Sequence, residues 1–230
     1  EDSFNNNSSY FKCTNRGKSS FVANFKKKNE LEMVQHLAKN ADIIIENYKV
    51  NNLKEYKLDY KNIKKINKSI IYCSITGFGQ NGPLALLPGY DFVIQAMAGI
   101  MSITGEKDGP PIKPGVAYAD IFTSLYSVIA IQAALHSRKK TGIGSFIDMS
   151  LYDTQLAVLA NQASTYLLNG KEPKRMGNKH PSIVPYQLFE AKDGDIIIAC
   201  GNDQQFKSLC NAFEWDFANS KKFSTNKKIS

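Results

Sequence analysis

Leu31, Val34, Leu37 and Ala38 recur at helical spacing, and Asn29 ahead of them predicts a capped helix running to about Lys39. Asp42-Ile43-Ile44-Ile45-Glu46 is a short, continuous apolar run with polar ends, the pattern of a buried strand. Tyr60 to Asn67 reads as a short polar helix, and Ser69-Ile70-Ile71-Tyr72-Cys73-Ser74-Ile75 as a second buried strand. Continuous β-branched runs separated by helices belong to parallel sheets covered on both faces, because strands exposed to water on one side alternate instead. An apolar helix opens at Gly89-Tyr90-Asp91 and extends to about Ser102. The almost wholly apolar stretch Ile121 to Leu135 predicts a buried helix. It closes in Arg138-Lys139-Lys140-Thr141-Gly142, cations and a glycine suited to a helix C-terminus. Ser145-Phe146-Ile147-Asp148-Met149 is a strand. Ser150 then caps a helix through Leu168, with Asp153 as the N3 member of a capping-box-like pattern and therefore mainly structural.

The pattern changes after Leu168. Gly170, Pro173, Gly177, Pro181 and Pro185 break any period and mark a linker or crossing loop. Asp195 to Cys200 is a strand of a following unit and Gln204 to Glu214 its helix. The expected organisation is a large α/β domain over 1–168, a linker over 169–184, and the beginning of a smaller α/β domain over 185–230. The chain starts at Glu1 and stops in a Lys-rich stretch, which reads as truncation at both ends, and no targeting segment is visible.

Composition excludes more than it selects. A chain of 230 residues with 43 % hydrophobic and 22 % charged residues can bury a core. No uninterrupted apolar run approaches the ~20 residues of a membrane span, so no membrane partner is expected. The net charge of +8 raises nucleic acid as a partner, but only Arg16, Arg138 and Arg175 carry guanidinium groups. Phosphate and guanine are usually read by guanidinium forks, and the lysines are scattered (26–28, 61–68, 139–140, 221–228), as on solvated faces. No nucleic-acid partner is expected. Cys13, Cys73, Cys200 and Cys210 form no CxxC pair, and His36, His136 and His180 are far apart, so the sequence offers no metal site.

Two segments bear chemistry. Thr76-Gly77-Phe78-Gly79-Gln80-Asn81-Gly82-Pro83 follows the second strand, where parallel sheets bind ligands. It is neither G-x-G-x-x-G nor a P-loop, so a dinucleotide or ATP site is unsupported. Glycine-rich backbone here offers N–H donors to an oxyanion, or is simply a turn that needs glycine. The second segment, Gly109-Pro110-Pro111-Ile112-Lys113-Pro114-Gly115-Val116-Ala117-Tyr118-Ala119-Asp120, ends in a carboxylate at the start of the long apolar helix. Asp120 there is either an ordinary N-cap or an anion held by the helix field with little water around it.

Five segments in order resolve that choice: Ile70 through Gln80, Pro88-Gly89-Tyr90-Asp91, Pro114-Gly115-Val116-Ala117 with Asp120, Gly177 through Gln187, and Gly201-Asn202 with Gln204-Gln205-Phe206. Together they resemble the class III coenzyme A transferases, the group that includes formyl-CoA transferase, over roughly residues 10 to 225. The likeness is greatest to members that use succinyl-CoA and a dicarboxylic acid. The resemblance implies a Rossmann-like parallel sheet covered by helices and an interlocked homodimer. It also implies a coenzyme A thioester as substrate, no permanently bound cofactor, and a mitochondrial location. Asp120 falls on the family's nucleophile, which forms an acyl-aspartyl anhydride and then an aspartyl-CoA thioester. Lys26, Asn47, Tyr48 and Lys49 fall on positions lining the CoA nucleotide and pantetheine. Gly89 and Tyr90 fall beside the reacting thioester, with Asp91 as the acidic neighbour. Gly77, Phe78, Gly79 and Gln80 form the loop near the acyl group, expected to be flexible. Taken singly, the lysines read as solvated and Tyr90 as a half-buried aromatic.

Departures from the family pattern are local. Val50 and Asn51 replace a Pro-Gly pair, Glu55 stands where an arginine is expected (with Lys54 or Lys57 nearby), and Ser124 replaces a common glycine. A related class, the 2-methylacyl-CoA racemases, shares the aspartate but adds a histidine in the Gly-x-Asp segment. Tyr90 occupies that place here, and a neutral tyrosine is a poor second base near neutral pH. The remaining alternative is an inactive CoA-binding remnant.

Overall fold

The computed structural model describes residues 3–4, 7–216, 222, 223 and 225; most of the 221–228 lysine run lies outside them. Strands β1 (Ser3–Phe4) and β2 (Asn7–Ser8) pair antiparallel and lead into helix α1 (Ser9–Asn15). Then come α2 (Lys28–Asn40), β3 (Ile43–Glu46), α3 (Tyr60–Ile66), β4 (Ile71–Thr76) and α4 (Asp91–Met97). A 3-10 turn at Met101–Ile103 precedes α5 (Tyr118–Thr141), β5 (Ser145–Ser150), α6 (Leu151–Val158) and α7 (Ala160–Asn169). The hairpin β6 (Tyr186–Ala191) and β7 (Gly194–Ala199) and helix α8 (Asp203–Ala212) complete the order.

The expected parallel sheet is present. Its order is β3-β4-β5, with Ile43 opposite Ile71 and Ile71 opposite Ser145. The continuous apolar run of β4 is needed because both its faces are covered. Ile70 and Tyr72 face a cluster with Ala38, Leu53, Leu58 and Ile63 from the α2–α3 side. Ile71 and Cys73 face Ile131 and Ala134 of α5. Tyr72 brings its hydroxyl to the Leu58 carbonyl at 2.9 Å, so its polar end is satisfied inside the core. Arg138 ties the end of α5 to the strand starts, donating to Asp42 Oδ1 at 2.9 Å and to the Asp42 and Ser69 carbonyls at 3.1 Å.

Several boundaries differ from expectation. Asn29 is not a cap: α2 begins at Lys28, and Glu30 instead reaches back to accept from the Asn24 N–H at 2.6 Å. The helix expected over 89–102 stops at Met97, because Gly99 takes φ +94° and turns the chain. Ser150 does cap α6, accepting from Asp153 N at 3.1 Å, but the helix breaks after Val158 and restarts at Ala160 with φ +47°. No glycine or proline signals that break. Strand β6 was absent from the sequence expectation. The signal for it was Tyr186-Gln187-Leu188-Phe189 before the turn dipeptide Asp193-Gly194. The 169–184 stretch lies partly on the preceding segment: Gly177 N donates to the Gly105 carbonyl at 2.9 Å and Arg175 to the Ser102 carbonyl at 3.3 Å.

Helix α5 has the length and apolar composition of a membrane span, alone among the described helices. The buried helix expected over Ile121 to Leu135 is buried on one face only, while Ile121, Leu125, Val128 and Ile129 of the other stay exposed. Thr123 and Ser127 are buried, and the Thr123 hydroxyl lies 2.8 Å from that of Thr154 on α6.

Candidate active site

Asp120 is not the N-cap of α5. The helix starts at Tyr118 behind Ala117, which has no side-chain acceptor, and Asp120 is the third helical residue. The cap comes from elsewhere. Asp91, the first residue of α4, accepts through Oδ1 from Ala119 N at 2.8 Å and Asp120 N at 3.4 Å. Its other oxygen accepts from Gln95 Nε2 at 2.7 Å. A carboxylate donated by another element thus satisfies the first-turn N–H groups that Ala117 cannot. The same arrangement sets two carboxyl groups close together. The pKa of Asp120 is raised above the ordinary carboxylate value, first by burial of the carboxyl and second by the charge of Asp91. The residue as a whole is nevertheless exposed in this chain, so the expectation of a nucleophile shut away from water is not met by these elements alone. Ser124, in the place of a glycine, turns its hydroxyl onto the Asp120 carbonyl at 2.8 Å and so stays on its own helix.

The glycine loop after β4 is pinned rather than flexible. A Cβ on Gly77 would sit 2.5 Å from Gly89 Cα, and one on Gly89 would sit 2.4 Å from Gly77 Cα, so the two backbones are in direct contact. That contact joins the start of the loop at Gly77 to the Gly89-Tyr90-Asp91 segment, and Asp91 joins that segment to the start of α5. The Gly77 carbonyl accepts from Tyr152 N at 3.0 Å and from Ser150 Oγ at 3.4 Å. Gln80 N donates to both oxygens of Asp148 at 3.1 and 3.0 Å, which removes it as an oxyanion donor. Among the described residues the N–H groups of Phe78 and Gly79 have no such partner. Gln80 Nε2 donates to Ser74 Oγ at 2.8 Å, and Ser74 is in close contact with Glu46 Oε1. Sequence reasoning overlooked Glu46, Ser74 and Asp148. The available signal was an acid at or near the carboxyl end of each outer parallel strand, beside the ligand-binding edge.

Three of the residues matched to CoA contact, Lys26, Tyr48 and Lys49, divide between two clefts. Lys49 lines one of about 440 Å³ with Val50, Lys54, Tyr60 and Gln80. Lys26 and Tyr48 line another of about 640 Å³ with Phe25, Asn52 and Glu55. Asn51 and Leu53 line both. Asn47 lines neither; its Nδ2 donates to the Ile75 carbonyl at 2.7 Å and joins the ends of β3 and β4. The Val50-Asn51 departure costs the backbone little, because Asn51 takes φ +71°, a conformation asparagine tolerates better than other side chains. Glu55 does place an acid in the second cleft, and Lys54 rather than Lys57 faces the first. Tyr90 is 76 % exposed, not the half-buried aromatic of the sequence reading.

The sequence profile described as "CoA-transferase family III" matches residues 1–230. The succinate–glutarate CoA-transferase of Agrobacterium fabrum is 50 % identical over 227 residues, 98 % of this chain and 57 % of its own length. The human succinyl-CoA:glutarate CoA-transferase is 43 % identical over 220 residues, 95 % of this chain and 50 % of its own. A CAIB/BAIF family protein from Brucella suis, solved by crystallography, is 54 % identical with a TM-score of 0.80, covering 92 % of this chain and 56 % of that one. The chain therefore spans about half the length of the relatives it matches. Profile, relatives and fold agree: this chain belongs to the family III CoA-transferases.

Proposed function

We propose that the full-length protein transfers coenzyme A from succinyl-CoA to a dicarboxylic acid, glutarate first, with 3-hydroxy-3-methylglutarate as the alternative acceptor. The names of the bacterial, mouse and human relatives support this donor and acceptor. The observation that bears most weight is Asp120 in the first turn of α5, held beside Asp91, whose own segment touches the glycine loop where Gly89 meets Gly77.

In this reading the ionised Asp120 attacks the thioester carbonyl. A C–O bond forms, the C–S bond breaks, and CoA leaves as the thiolate, giving a succinyl-aspartyl anhydride. The thiolate attacks the Asp120 carbonyl of that anhydride, releasing succinate and leaving an aspartyl-CoA thioester. Glutarate attacks this thioester and expels the thiolate, which then takes the glutaryl group and restores free Asp120. A carboxylate suits the task because it is both a nucleophile and, once acylated, a good leaving group, so each step exchanges bonds of similar energy. The Phe78 and Gly79 N–H groups stabilise the oxyanions. Lys26, Tyr48 and Lys49 hold the CoA portion, with Gly89 and Tyr90 nearer the thioester; Asn47 braces the strand ends beneath them. Coenzyme A is a substrate here and no resident cofactor is required.

A homodimer belongs to the same proposal, since water must be kept from an anhydride and Asp120 is exposed in the single chain. So does the division into a large domain to 168, a linker and the beginning of a smaller domain. The mitochondrial location rests on resemblance only, and a bacterial relative at 50 % identity argues that the reaction is not tied to that compartment. Tyr90 in the racemases' histidine position favours transfer over racemisation.

Asp120→Asn in the full-length protein is expected to lower turnover by at least ~10³-fold, since it removes the covalent nucleophile. Hydroxylamine added with succinyl-CoA should modify Asp120 in the unsubstituted protein. Turnover that survives the substitution ends the reading, and a competition assay that prefers oxalate or carnitine over glutarate ends the acceptor assignment.

A further inference from the structure

Gln95 is fully buried, at 0 % exposure, on the short helix α4, whose other buried residue is Ile94. An amide in such a place costs free energy unless its hydrogen bonds are made. Only one is made. Nε2 reaches Asp91 Oδ2 at 2.7 Å, while Oε1 is buried without a partner among the described residues. The amide is oriented by chemistry: an ionised carboxylate only accepts, so the NH₂ end must face it. A leucine or methionine would fill the same space at lower cost. What the amide adds is one charge-assisted hydrogen bond to a carboxylate, stronger than a neutral one. That carboxylate's other oxygen is the cap on Ala119 N and Asp120 N.

We propose that Gln95 is a positioning residue for CoA transfer: by clamping Asp91, it fixes the first turn of α5 and hence the place of the Asp120 carboxyl. The inference rests on the reading of Asp120 as nucleophile. Asp91 is only partly buried, so without the clamp its side chain turns toward water and away from α5. Ala119 N then loses its 2.8 Å acceptor, and the like-charged neighbour of Asp120 moves. Neither change touches the CoA clefts, so the effect falls on the chemical step rather than on binding. A displacement of this size at a reacting group is expensive in rate.

The test uses the full-length protein with succinyl-CoA and glutarate. Gln95→Met keeps the volume and removes the donor; Gln95→Asn keeps an amide but draws it back from Asp91. Both are expected to lower kcat roughly ten-fold or more while KM for succinyl-CoA stays within about two-fold, the signature of an interaction used in the transition state. In an Asp91→Asn background, Gln95→Met should add little further loss, because the two act as one unit. Unchanged kcat, a loss confined to KM, or full additivity with Asp91→Asn overturns the proposal. Failure of both Gln95 variants to fold also overturns it, leaving Gln95 a structural residue. Asp120→Asn is run alongside: if it stays active, the nucleophile reading has failed, whereas a dead Asp120→Asn with fully active Gln95 variants sinks only the positioning role.

Discussion

Single residues at this site are explained by their neighbours more than by their type. Asp120 alone is one more acid in a helix's first turn; partial burial of its carboxyl, and then the charge of Asp91, make it an acid that holds its proton to higher pH. The consequence has a definite sign. Attack needs the ionised form, so activity falls as pH drops through the raised pKa, and the acid limb of kcat/KM should lie above the ordinary aspartate value. Asp91→Asn removes the second of the two causes and should move that limb to lower pH, while burial, the larger cause, remains. A pH–rate profile of the variant checks this; an unmoved or upward-moved limb refutes it. Burial of the Asp120 carboxyl, with the charge of Asp91 beside it, also runs against folding. A native-state pKa raised above the unfolded one means that stability is lost as pH rises through it. Asn51 illustrates the converse, a departure from the family pattern that the backbone absorbs through its left-handed φ.

At the scale of elements, the site is the place where β4, α4, α5 and α6 are brought into register by backbone contacts. Gly77 and Gly89 touch, the Gly77 carbonyl meets the first turn of α6, and Asp91 meets the first turn of α5. Gly77→Ala would insert a methyl 2.5 Å from Gly89 Cα and 2.9 Å from Gly89 N, with no flexible side chain to yield. The expected cost is about 2–3 kcal/mol of stability, in the range of overpacked cores, together with loss of transfer activity. Denaturant unfolding measures the first and the succinyl-CoA assay the second; an alanine variant of wild-type stability would show that the two segments are free to part. None of this could be read from the chain's periodicity. The strands were legible because continuous β-branched runs have one stable fate, burial on both faces. The glycine loop appeared flexible because glycine is, until another backbone is seen to press on it. The break at Leu159 and Ala160 has no local signal at all.

For the molecule as a whole, the long helix α5 has two lives. One face is packed on β4, β5 and α6. The other leaves Ile121, Leu125, Val128 and Ile129 between 45 and 65 % exposed, close to an exposed Asp120. Contiguous apolar surface of this kind is usually covered in the functional protein, and the proposed homodimer is the cover that the CoA-transferase reading supplies. Ile129→Lys is therefore expected to weaken the full-length dimer, measured as a concentration-dependent fall in mass by light scattering. An unchanged mass would withdraw this support for the homodimer.

By itself the sequence determined the parallel α/β character, the order of the main strands and helices, and the acid at the start of a long apolar helix. These follow from period, burial and cap chemistry, which act over a few residues. Tertiary structure alone decided that the cap on α5 is Asp91 and not Asp120, that Gln80's N–H belongs to Asp148, and that Gly77 and Gly89 are spacers between two backbones. Each of these pairs residues a dozen to nearly seventy positions apart, and only the packing of whole elements brings such groups within the few ångströms over which hydrogen bonds and charges act.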